Sequence, residues 1–353
     1  HQLLTTECVF GVALGVATSF GVLFVLFGAM LDKAGAGDWM LRLSLALLGH
    51  LRGGPAKVAV VSSALNGVVS GSSISNVVSG GIFTIRLMKR TGFSGVKAGA
   101  VETASSINGQ IMPPVMGAAA FLMVEYVGIP YSEIVKHAAL PAIISYIALF
   151  YIVHIEALKL GTPVLKRTHV RPRGERFLRW LLGLSGVVVF CVGIYYGILA
   201  AQALFGSFAP WVVAIAGVGG YVGLLAYSAQ FPDPPAEDPD RPVIELPETW
   251  ETARAGLQFI LPLVVLLWCL MVDQLSPGLS AFWATITIAA ILVTQRPLIA
   301  LFRRQGDLIA PLKRGVVELF DSLALGARNM ISLGVATATA GIIVGTITLT
   351  GMG

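Results

Sequence analysis

The chain has 353 residues, of which 56% are hydrophobic and 12% charged, with a mean hydropathy of +0.81. Soluble domains carry about 25% charged residues, so this composition excludes an ordinary water-soluble enzyme or binding module. The net charge of +5 does not point to nucleic acid, because the basic residues gather at the ends of apolar runs instead of forming a stripe.

The first apolar run, Cys8 to Leu31, is long enough to cross a bilayer. Trp39 to Leu51 is shorter and carries Arg42 and His50, which predicts an amphipathic helix lying at the interface. Lys57 and Arg86 then bound Val58 to Ile85, a stretch without charge whose centre reads Ser70-Gly71-Ser72-Ser73-Ile74-Ser75-Asn76. Its most polar residues lie midway between two cationic ends, a poor design for a lipid-facing span. Non-helical backbone is tolerated at membrane depth only where protein or a water-filled cavity satisfies it. Two helical arms of about 13 residues, each roughly 20 Å long, meeting at Gly71 meet that condition. This predicts a re-entrant hairpin.

Ala98 to Gly128 is apolar except for Glu102 and Glu125 and is interrupted by Ser106-Ile107-Asn108-Gly109-Gln110-Ile111-Met112-Pro113-Pro114. Consecutive prolines remove two backbone donors and disfavour a helical Met112, which predicts a helix broken near mid-membrane. Further spans are expected at Ala138 to Ile155, Leu178 to Ala201, Ala209 to Ala229, Leu257 to Val272, Gly278 to Thr294 and Asn329 to Met352. The basic segments Lys159 to Arg179 and Arg296 to Arg314 should be cytoplasmic, as should both ends of the hairpin and the acidic, Pro-rich linker Pro232 to Glu251.

Gly15-Val16-Ala17-Thr18 in the first run recurs as Gly334-Val335-Ala336-Thr337 in the last. The orientation count makes the two runs antiparallel, the pattern of an inverted-topology transporter repeat. The expected organisation is a first repeat over 1–161, a basic segment and two additional spans over 162–230, a linker over 231–256, two spans and an amphipathic segment over 257–325, and the start of a second repeat over 326–353. The chain opens without a Met or a charged leader region and stops directly after an apolar run, so it is read as an internal portion of a longer membrane protein. Cys8, Cys191 and Cys269 stand singly, with no metal spacing and no disulfide implied.

Several strings together resemble one family: Gly53-Gly54-Pro55-Ala56-Lys57-Val58, the Gly71-Ser72-Ser73 tip, Leu87-Met88-Lys89-Arg90-Thr91-Gly92-Phe93, Ala98-Gly99-Ala100-Val101-Glu102, and Gly109 to Phe121. They resemble the large membrane (permease) subunit of tripartite ATP-independent periplasmic (TRAP) transporters, in the TAXI-type branch where small and large subunits are often fused. The resemblance implies an all-α polytopic membrane protein of the ion-transporter superfamily type, not an enzyme, sited in the bacterial inner membrane. It implies import of small organic anions on a cation gradient, normally sodium, with a periplasmic binding protein and a small four-helix subunit as partners. No cofactor other than coupling sodium ions is expected.

The candidate residues follow. Carbonyl ends near Ser70 and near Ser106 and Asn108 can hold a cation, and amino ends near Ser73 to Asn76 and past Pro114 can meet a carboxylate. The resemblance places sodium between hairpin and break, at Ser70, Gly71, Asn76, Ser106 and Asn108. Substrate contacts are expected from Ser72, Ser73, Ser75, Gln110, Pro113 and Pro114, with Gln110 equally able to cap the break. Glu102 is either a functional ionisable group, with proton coupling as its role, or a boundary residue facing water five residues beyond Lys97; the water-facing reading is the expectation. His154 and Glu156 are expected to be interfacial. The rivals are proton-coupled transport and, with less support, an ion channel.

Overall fold

A computed structural model describes residues 8–162, 164, 185, 192–193, 196–197, 203–204, 206–230, 246–304 and 308–350. Among these every regular element is a helix, with no strand. The first run is α1 (Val12–Val16), a π turn (Ala17–Gly21) and α2 (Val22–Lys33), and it bends by 43° between its halves. The expected interfacial helix is α3 (Ala36–Leu48), whose Met40, Leu41 and Leu45 are buried and which packs along the next element.

That next element is the hairpin. Its arms are α4 (Gly54–Ser70) and α5 (Ser73–Arg90), longer than expected because Gly54-Pro55 starts the first and the second runs on through Arg86 to Arg90. At about 1.5 Å per residue each arm is about 26 Å long. Gly71 turns the chain at φ +57°, a conformation that costs a residue with a side chain about 1 kcal/mol or more. Ser72 then caps α5, its hydroxyl accepting from the Ser75 N–H at 3.3 Å.

The broken helix also stands as expected, as α6 (Gly95–Asn108), a 3-10 turn (Gly109–Ile111) and α7 (Ala118–Val127). The second half starts later than the sequence suggests. Val115 to Gly117 stay irregular, with Met116 at φ +52° and Gly117 extended, so the free amino end belongs to Ala118 and not to the residues just past Pro114. α8 (Tyr131–Lys159) follows and exposes Leu140, Ile147 and Tyr151, an apolar surface that suits lipid. Lys97 pairs with Glu156, tying the start of α6 to the end of α8 and placing Glu156 in a surface ion pair.

Most of Leu178 to Ala201, the basic segment before it and the acidic linker lie outside the described residues, as does Cys191. α9 (Ala209–Ser228) packs on α12, where the Tyr221 hydroxyl lies 2.8 Å from Thr294 Oγ1. α10 (Thr249–Ala255) and the run Leu257–Val272, which contains α11 (Ile260–Leu267), meet at 49°. α12 (Pro277–Phe302) is one span-length helix. The last element differs from expectation. The end of the basic segment, from Ile309, and the final run form one helix, α13 (Ile309–Thr350), and Arg296 of α12 is bonded to Glu318 of that helix at 2.5 and 2.9 Å. Its 42 residues span about 63 Å, twice the hydrocarbon core, so one end must stand outside the bilayer.

The two repeated strings lie side by side. Ala13, Val16 and Ala17 share an apolar crevice with Leu333 and Thr337, and α13 packs along both α1 and α2. Thr18 Oγ1 donates to the carbonyls of Leu14 and Gly15, and Thr337 Oγ1 donates to those of Leu333 and Gly334, so the strings match in hydrogen bonding as well as in letters.

Candidate functional site

The hairpin tip and the helix break are pressed together at three heights. At the tip, a Cβ on Gly71 would overlap the Met116 carbonyl oxygen. Lower down, Gly67 of α4 faces Gly109, and a Cβ on Gly67 would stand 2.6 Å from the Gly109 Cα. Between them Gln110 Nε2 donates to Ser73 Oγ at 2.8 Å. Two interruptions some 40 residues apart in sequence therefore build one junction. Tyr131, 2% exposed, holds the far side of the break, donating to the carbonyls of Pro114 (2.8 Å) and Val115 (2.9 Å) while its ring stacks on Phe121.

The candidate cation ligands fall into this junction unequally. Asn76 is buried, and its Nδ2 donates to the Ser63 carbonyl of the opposite arm at 3.0 Å. Its Oδ1 has no partner, and neither has the buried Ser106 Oγ. Gly109, one turn beyond Ser106, lies against the Asn76 amide, its Cβ position 3.2 Å from Nδ2. Asn108 is half-buried at the end of α6. Ser70 sits at the tip with its hydroxyl accepting from the Ser72 N–H at 3.4 Å. Unpartnered buried oxygens are costly unless something fills them, and an oxygen-only set suits a hard cation such as sodium. The residues present fit that ion.

The anion side is more restricted than expected. Ser75 N–H is spent on Ser72 Oγ and Asn76 N–H on the Ser72 carbonyl, which leaves the Ser73 and Ile74 amides without an acceptor among the described residues. Ser73 and Gln110 face each other, so both belong to one surface. Pro114 does not, because its carbonyl is directed to Tyr131. Pro113 is half-buried beside it.

Glu102 overturns the water-facing expectation. It is 0% exposed, because α5 covers it: Thr84 Oγ1 lies 2.5 Å from Oε2, and Cβ positions on Gly80 and Gly81 would stand 3.4 and 3.2 Å from its side chain. Ser63 and Ser106 flank the same carboxyl. Neither makes a well-formed hydrogen bond to Oε1, which is left without a partner. Ser63, Thr84 and Gly67 were not singled out by sequence, since a lone Ser, Thr or Gly in an apolar stretch carries no distinguishing pattern.

The sequence profile described as "Tripartite ATP-independent periplasmic transporter, DctM component" matches residues 2–228. The chain belongs to this TRAP transporter family. It is a component of a transporter and not an enzyme, and it is an inner-membrane protein. The chain is 29% identical over 178 residues to the C4-dicarboxylate TRAP transporter large permease protein DctM of Pseudomonas aeruginosa, a stretch covering 49% of this chain and 40% of that protein. It is 25% identical over 174 residues to the sialic acid TRAP transporter large permease protein SiaM of Vibrio cholerae, again 49% and 40% of the two chains. The matched stretch thus spans less than half the length of these relatives.

Proposed function

We propose that this TRAP component imports a small organic anion bearing a carboxylate, coupled to an inward sodium gradient. The observation that carries this reading is the docking of Gly67 and Gly71 of the hairpin onto Gly109 and Met116 of the break, with the Asn76 and Ser106 oxygens left unpartnered beside it. Sodium bridging Asn76 and Ser106 would order both broken elements. That would fix the Ser73 and Ile74 amides for a carboxylate, so cation and anion affinities rise together by the same factor. The relatives' names support the substrate class, since C4-dicarboxylates and sialic acid are both carboxylates. The family implies delivery by a periplasmic binding protein and pairing with a small four-helix subunit. The strings of the sequence favour the TAXI-type branch.

Proton coupling is the second reading, favoured by the buried Glu102. A channel is a weaker third, because an inverted repeat with two interrupted elements suits alternating access.

The test is uptake and counterflow of labelled succinate and N-acetylneuraminate into proteoliposomes holding the full-length transporter with its small subunit and binding protein. Sodium-dependent uptake with counterflow is expected for at least one. Conductance without counterflow would overturn the transporter reading, and uptake that ignores sodium but follows a proton gradient would overturn the sodium assignment.

A further inference from the structure

We propose that the seam between α4 and α8 binds an anionic phospholipid, with Lys57 meeting its phosphate. Ala56, Ala59 and Val60 of α4 close against Val153 and Ala157 of α8 in one buried cluster. Lys57 stands on the same stretch of α4, three residues into the helix, and is only 4% exposed. Its Nζ lies 5.3 Å from the centre of the Phe150 ring of α8. Among the described residues no hydrogen-bond acceptor or carboxylate meets that ammonium.

Buried lysines are almost always paired. An aromatic face returns only part of the hydration that an ammonium loses, and the three N–H donors of Nζ stay unspent on protein. Phe150 shows where they lead. By their spacing Ile147, Phe150 and Tyr151 share one face of α8, and Ile147 and Tyr151 are each 63% exposed. The ammonium thus comes up beside an apolar stripe that suits lipid, about 5 Å along α4 from its first residue. Long cationic side chains near the ends of membrane helices carry their charge to the headgroup layer.

Charge around the seam selects the headgroup. Arg52 just before α4 and Lys159 at the end of α8 are exposed, while the carboxylate of Glu156 is taken by Lys97. The rim therefore carries Arg52, Lys57 and Lys159 in excess over that pair, which favours a lipid of net negative charge over a zwitterionic one. A soluble phosphate would answer the cations and leave the stripe bare. An anionic phospholipid answers both, with its phosphate at Lys57 and an acyl chain along Ile147 and Tyr151. Bound there, it ties the first arm of the hairpin to α8.

The test uses the full-length transporter with its small subunit, delipidated in detergent. Thermal unfolding is followed during titration with phosphatidylglycerol, phosphatidylcholine or soluble glycerol 3-phosphate. Phosphatidylglycerol is expected to raise the unfolding temperature of the wild type, and the other two should not at equal concentration. Lys57→Met keeps an apolar stem and removes the charge, so the half-saturating phosphatidylglycerol concentration should rise about tenfold. No rise with phosphatidylglycerol in the wild type, or an equal rise with phosphatidylcholine, overturns the anionic site. A rise with glycerol 3-phosphate that matches phosphatidylglycerol makes this a site for soluble phosphate and overturns the lipid. An unchanged half-saturation in Lys57→Met overturns the assignment to Lys57. If Lys57→Met does not fold, phosphatidylglycerol carrying a diazirine at the head of one acyl chain is photolysed on the wild type. Label at Ile147, Phe150 or Tyr151 is expected, and label confined to other surfaces overturns the site. No arm uses sodium or a transported anion, so failure of anion uptake leaves this result standing.

Discussion

Gln110 of the helix break donates to Ser73 at the hairpin tip across 2.8 Å, so the two irregular elements of this fold are joined by a side-chain bond as well as by packing. Loss of this bond should free the tip without unfolding the bundle. Replacing Gln110 by Ala is expected to cost about 1 kcal/mol, to raise hydrogen exchange at Gly71 to Ser75, and to leave exchange in α12 unchanged. Equal exchange at the tip in both proteins would show that the bond holds nothing.

Close approach at Gly67 predicts a steep response to one methyl group. Gly67→Ala places a Cβ 2.6 Å from the Gly109 Cα, and overpacking of this kind costs about 1–3 kcal/mol. Gly99→Ala, where nothing lies within 4 Å, should be neutral or gain up to about 1 kcal/mol from helix propensity. Thermal unfolding of the detergent-solubilised full-length protein should rank Gly67→Ala well below wild type and Gly99→Ala at or above it.

Tyr131 separates hydrogen bonding from packing at the break. Tyr131→Phe keeps the ring against Phe24 and Phe121 but removes the donor to Pro114 and Val115, an expected loss of about 1–3 kcal/mol from carbonyls left bare. Tyr131→Ala should lose about 3–5 kcal/mol. Comparable unfolding temperatures for the two variants would mean that the hydroxyl, not the ring, dominates.

The hairpin assignment predicts one-sided labelling. Single cysteines at Arg52 and Lys89, both exposed at the roots of α4 and α5, should react with an impermeant thiol reagent only from the cytoplasm, in a background lacking the native cysteines. Labelling of the two from opposite sides would make Gly54–Arg90 a crossing segment.

The breaks were legible because they are made of residues with strong backbone preferences. Gly71 supplies a positive φ and Pro113-Pro114 remove donors, and both act locally. What sequence could not give was the third dimension. Distance from Lys97 fixes how far along α6 Glu102 lies, but not that Gly80, Gly81 and Thr84 of another helix cover it. Self-capping by Ser72 was missed because serine at a tip reads equally as a ligand or as a cap. The amphipathic segment expected before the final run is continuous with it in α13, a continuity that charge placement does not reveal because Arg296 and Glu318 are partners across two helices.

Sodium held between hairpin and break at Asn76 and Ser106, as proposed above, should make the stability of the protein depend on sodium. Ligand that binds only the folded state raises the unfolding temperature with concentration. Unfolding of the full-length transporter is measured in sodium against choline at equal ionic strength, for wild type, Asn76→Leu, Ser106→Ala and Asn108→Leu. The account predicts a sodium-dependent rise in wild type that is reduced in Asn108→Leu and abolished in Asn76→Leu and Ser106→Ala, while the Gly99→Ala control keeps it in full. A rise undiminished in Asn76→Leu and Ser106→Ala, or none in wild type, would contradict it.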